Sequence, residues 1–271
     1  MKTQNTMRIL ALTALAVLVL NSCGTKQAKE AEELETVTKE QAFEGVTNYP
    51  IPTSFEVIQL INNAGASYIL SICNPIDNAN KYFTEKAKAL NLGIYGADLA
   101  YSTTYQMKQE TMNYLKTSKK LIDELNISTG FNRQLAERVD ANIDNKDSLI
   151  LIITNSFYDS YKYLVENGKD NLSLMVITGS WVEGLYITSQ IALTSRSNTE
   201  FVKIIANQKA PLSKLMELMQ SRSTEADVTE LINTLKPIAD VYNGVQGETV
   251  NDEQFQAIVE NIAKIRNSFV E

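Results

Sequence analysis

Between residues 171 and 195 the chain reads NLSLMVITGSWVEGLYITSQIALTS, which carries its one Trp, Trp181. On a helical projection Leu172, Met175, Trp181, Leu185 and Ile191 can face one partner while Leu174, Ile177, Tyr186 and Ile187 face another. A helix that is apolar on all sides is a buried one, so the rest of the chain must wrap around it. Glu183 lies in the middle of this stretch. A buried carboxylate is costly unless it is paired or hydrogen-bonded, so Glu183 requires a partner from elsewhere in the fold.

The surrounding sequence supplies more helices. Thr53 and Glu56 have capping-box spacing at the head of a helix over residues 54–64, after the stiff Tyr49-Pro50-Ile51-Pro52. Asn74-Pro75 marks a break, and Asp77 is placed as the cap of a helix reaching Leu90. The run GIYGADLAY, residues 93–101, leads into a helical pattern extending to Leu115, with Gly93 and Gly96 leaving room for a close neighbour. Their spacing does not match a phosphate-binding loop. Further helices are expected over residues 116–126, 129–143, 148–166 (capped by Asp144 or Asn145 and stopped at Gly168), 199–207, 211–220 and 224–243. Pro237 should kink or split the last of these. A final amphipathic helix over residues 252–270 has Phe255, Ile258, Val259, Ile262, Ile265 and Phe269 on one face behind an Asn251/Gln254 cap. With no alternating strand pattern and no recurring repeat, the reading is all-α, with about ten helices in an antiparallel multi-helical bundle.

The N-terminus has a different character. Residues 1–22 combine a basic start with a short apolar run, too short to span a membrane, and lead into Cys23 as Leu20-Asn21-Ser22-Cys23. That ending resembles the lipobox of bacterial lipoproteins, in which the signal is removed before a lipidated Cys; Cys23 is therefore the expected lipidation site. Gly24 follows, and not the Asp that retains many lipoproteins at the inner membrane, so an outer-membrane address, periplasmic or surface-facing, is expected. Residues 23–48 have the polar, charged composition of a tether, and residues 49–271 make up the all-α domain. The net charge of −7, with scattered basic residues, argues against nucleic acid as a partner.

A lipidated Cys23 leaves Cys73 without a disulfide partner, and its apolar context suits a buried thiol. The chain contains no His. Triads, Cys-His pairs, His-bearing zinc sites and His-ligated haem are thereby excluded, and no metal or cofactor is expected. One echo draws attention: Asp98-x-x-Tyr101-x-Thr103 repeats as Glu183-x-x-Tyr186-x-Thr188, each beside a Gly and each in an apolar helix. The two acids either converge with Tyr95, Tyr101, Tyr186 and Trp181 on an interior site for a cationic or polar ligand, or form a buried pair that fixes helix register. A polysaccharide hydrolase using Asp98 and Glu183 as a carboxylate pair is the enzymatic alternative. It lacks the exposed sugar-stacking aromatics such enzymes carry, so no catalysis is expected.

The segments GIYGADLAY and GSWVEGLYI resemble blocks of a family of uncharacterised, all-helical lipoproteins of Bacteroidetes. The resemblance covers most of the chain after Cys23 and implies an envelope location without implying an activity. In that setting Asp147-Ser148-Leu149 resembles a three-residue O-glycosylation signal, against the plainer reading of a helix start. The expected role is a binding or scaffolding module held to the membrane by its lipid anchor, with an envelope protein or a small polar ligand as partner.

Overall fold

The computed structural model describes residues 54–127, 133–195, 197–222 and 224–271, all within one compact unit, Val37–Glu271. Residues 1–53, with Cys23, the expected lipidation site, and the Thr53 half of the expected capping box, lie outside the described residues. Among those described there are ten α-helices and no strand. In chain order these are α1 (Ser54–Asn63), α2 (Glu85–Thr104), α3 (Lys108–Glu124), α4 (Arg133–Ala141), α5 (Lys146–Glu166), α6 (Asp170–Thr194), α7 (Thr199–Ala206), α8 (Lys209–Gln220), α9 (Ala226–Asn243) and α10 (Asp252–Val270). Two 3-10 turns, Leu70–Ile72 and Ile76–Asn80, punctuate an otherwise extended strap, residues 66–83, between α1 and α2.

The apolar stretch around Trp181 is α6, and it is central. Its most extensive neighbour is α2, and α1, α5, α7 and α10 also pack on it. Glycines set the closeness of the α2–α6 crossing. A Cβ on Gly93 would collide with the Val176 carbonyl and lie 2.6 Å from the Ser180 nitrogen, and one on Gly179 would collide with the Leu90 carbonyl. The backbones therefore touch, which only glycine permits. Gly96 faces the Phe157 ring of α5.

Local signals account for most boundaries. Asn145 caps α5 by accepting from the Ser148 N–H at 3.1 Å, so Asp147-Ser148-Leu149 is a helix start in the folded chain. Gly168, at φ 66°, ends that helix. Asn251 and Gln254 form the reciprocal capping box of α10, whose expected apolar face is buried. Pro211 sits in the first turn of α8, where its missing N–H is harmless, and Pro237 lies inside α9 without splitting it.

Three boundaries differ from the sequence reading. Asp77 lies in a 3-10 turn, and the next helix starts at Glu85, where the Thr84 hydroxyl accepts from the Ala87 N–H at 3.1 Å. That helix does not run on to Leu115. It stops at Thr104, because Gln106 adopts φ 59° and Met107 N–H bonds back to Ser102 O at 2.9 Å, a Schellman-type reversal made without glycine. The expected separate helix over residues 116–126 is the second half of α3, which ends in a similar reversal at Asn126, φ 54°.

Candidate functional site

Asp98 on α2 and Glu183 on α6 meet in the interior, and both are 0% exposed. The helices that carry the repeated acid-x-x-Tyr-x-Thr pattern are the two that cross at Gly93 and Gly179, so the echo in the sequence reflects a real juxtaposition. The partner of Glu183 is an arginine. Arg266, on α10 and 8% exposed, donates from Nε to Glu183 Oε2 at 3.0 Å and from Nη2 to Oε1 at 3.2 Å. This two-pronged geometry is the strongest a carboxylate can make with a side chain. The guanidinium also lies 4.8 Å from the centre of the Tyr186 ring and donates to the Ile72 carbonyl at 3.4 Å.

Asp98 is held differently. Its Oδ2 accepts from the Asn74 backbone N–H at 3.1 Å, while Oδ1 has no hydrogen-bond donor. The side chains of Glu183 and Cys73 contact its carboxyl group. Burial, reinforced by the Glu183 charge, raises Asp98 well above the usual carboxylate range. Burial raises Glu183 as well, opposed by Arg266. Burial disfavours the Arg266 charge, but Glu183 more than restores it and holds the guanidinium above its ordinary value. The Cys73 thiol is pushed up first by burial and then by Asp98.

Tyrosines surround these groups without forming an open cage. Tyr95 donates to Pro75 O at 2.9 Å; Tyr101 donates to Ser67 O at 3.2 Å and accepts from Ile69 N–H at 2.8 Å. They pin the strap onto α2. Asn74 extends the same network through Tyr82 and Asn91, and Asn91 donates to Phe269 O on α10 at 2.7 Å. Cys73, Ala79 and Tyr82 are buried and Ala66, Tyr68, Ile69 and Ile72 pack partly against the core, while Leu70, Ile76 and Phe83 are exposed, Phe83 at 84%. The strap is seated by these contacts together with the polar bonds.

Of the expected site residues, Asp98, Glu183, Tyr95, Tyr101 and Tyr186 belong to this region. Trp181 does not: two positions from Glu183, it points to another side of α6, and its Nε1 has no hydrogen-bond partner among the described residues. The cationic group that Glu183 holds is the protein's own Arg266, as in a buried pair that fixes helix register. Sequence reasoning missed that residue, although its position marks it: four residues after Ile262 and three before Phe269, it stands in the apolar seam of the last helix. A void of about 10 Å³ beside Gly96 is lined by Ser54, Phe55, Phe157, Tyr161 and Ser180 and is too small for a sugar ring or a metabolite.

Among the described residues no three His, Cys, Asp or Glu side chains gather as a metal set, and no helix is long and apolar enough to cross a membrane. Chemically, the arrangement can hold three helices and the strap in register and can store a proton. It offers no open face on which a substrate could lie between the two carboxyl groups. Comparison with family models, with curated proteins and with solved structures finds no match to this chain.

Proposed function

We propose that the chain is a lipid-anchored binding or scaffolding module of a bacterial envelope, tethered through Cys23 to the outer membrane. The observation that carries this reading is the N-terminal run ending Leu20-Asn21-Ser22-Cys23, followed by a polar stretch and then a helical body. The closed interior supports the non-catalytic half of the reading. A carboxylate-pair hydrolase needs a cleft that admits a sugar and a water between its acids, and Asp98 and Glu183 are sealed against Arg266, Asn74 and the strap. A partner would therefore be met on the outer surface. One groove there, of about 360 Å³, lies between α8 and α9 and is lined by Leu212, Met216, Ile232 and Ala239 with Lys236 and Asp240.

Fractionation of cells expressing the full chain tests the anchor. The native chain should partition with the outer membrane, and Cys23→Ala should release it to a soluble fraction. Unchanged membrane partition of the variant would overturn the proposal. Co-purification of a specific envelope protein from detergent-solubilised membranes is the expected signature of the scaffolding role.

A further inference from the structure

The hydrogen bonds of the buried acids are unevenly distributed. Both Glu183 oxygens are taken by Arg266, Asp98 Oδ2 is taken by a backbone N–H, and Asp98 Oδ1 receives no donor. Two carboxyl groups share one guanidinium, and all three side chains are enclosed. If both acids were ionised, the site would hold an uncompensated negative charge away from water, which is strongly unfavourable. One proton removes the imbalance, and the oxygen left without a donor is where it fits.

We propose that Asp98 carries a proton on Oδ1 and shares it with Glu183, so that Asp98, Glu183 and Arg266 form a neutral triad whose proton links folding, and the seating of the strap, to pH. Among the described residues, no second positive charge is found beside Asp98. Facing Asp98 are Glu183 and Tyr186 from α6, Arg266 from α10, and Cys73 and Tyr68 from the strap. Tyr114 comes from α3, and Tyr95 and Tyr101 from α2 itself. Burial holds the Cys73 thiol and each of these phenols above its ordinary value. The raised position of Asp98 agrees with this count.

The direction of the linkage follows. In the unfolded chain Asp98 loses its proton near pH 4; in the folded chain it keeps the proton to a much higher pH. Stability from this group is therefore full below about pH 4 and is lost as pH rises toward the folded value. The strap is where the loss should appear first, because Asp98 Oδ2 holds Asn74 N–H and Arg266 holds the Ile72 carbonyl.

The test compares the full chain with Asp98→Asn, whose amide group can accept from Asn74 and donate to Glu183 as the protonated acid does. Urea unfolding from pH 4 to pH 9 should show the folding constant of the native chain falling, relative to the variant, about tenfold per pH unit until Asp98 titrates. Hydrogen exchange of peptides spanning residues 67–83, compared at equal pH so that intrinsic rates cancel, should be faster in the native chain at pH 9 and similar at pH 4. A flat or rising stability ratio would overturn the shared proton, and equal strap exchange at pH 9 would overturn the strap as its reporter. Infrared spectroscopy decides the point if Asp98→Asn does not fold. In a chain carrying Asp159→Asn, which removes the other aspartate raised among the described residues, a carboxylic C=O band at pH 7 supports the proposal and its absence overturns it.

Discussion

Arg266 reaches Glu183 from a helix far away in sequence, and its value to the fold lies in what its loss would leave behind. Removing one member of a buried ion pair strands the other, a loss of about 3–5 kcal/mol, whereas replacing both with apolar groups is far milder. Arg266→Leu should therefore destabilise the chain by about 3–5 kcal/mol at pH 7 in urea unfolding, with a smaller deficit toward pH 4, where Glu183 can take up a proton. Glu183→Leu combined with Arg266→Leu should recover part of the loss. An additive double variant would mean that the pair is not coupled. The acids were legible in the sequence because a charge inside an all-round apolar helix must be explained. The arginine was not, because spacing along α6 points only to neighbours on the same helix, such as Tyr186, and contains no information about which distant helix docks there.

The crossing of α2 and α6 rests on two glycines whose absent side chains are the contact. Gly179→Ala would drive a Cβ into the Leu90 carbonyl, and backbone cannot step aside as a side-chain tip can. The expected loss is about 3 kcal/mol or more, the upper range for overpacking a tight core. Gly168→Ala, which meets nothing within 4 Å but must hold φ 66°, should lose only about 1 kcal/mol, the ordinary penalty for a left-handed alanine. Thermal unfolding of the two variants side by side checks this order, and equal losses would show that the crossing is looser than its geometry. Gly93 and Gly96 could be read from the sequence as a close approach. The end of α2 could not, since a Gln at position 106 in the left-handed region sends no signal of the kind Gly or Asn would.

The described part of the chain is built outward from α2 and α6, with α10 closing the polar centre and the other helices packed around them. Periodicity made the helices legible because each must bury an apolar face, and α6 declared itself central by having no polar face at all. The strap was not legible, since its order comes from isolated apolar contacts together with tyrosine hydroxyls, Asn74 and Asp98, which leave no periodic trace. Stability should be graded in the same way. Amides in the middle of α2 and α6 are buried on every side, so they can exchange only when the whole structure opens. The short helix α4 packs chiefly against α5 and can open by itself. Native-state hydrogen exchange should accordingly find residues 94–99 and 177–185 slower than residues 135–141 by about 100-fold or more, after correction for intrinsic rates. Equal protection would mean that α4 unfolds only with the core and that the molecule opens as one unit, which would also deny the strap an opening of its own.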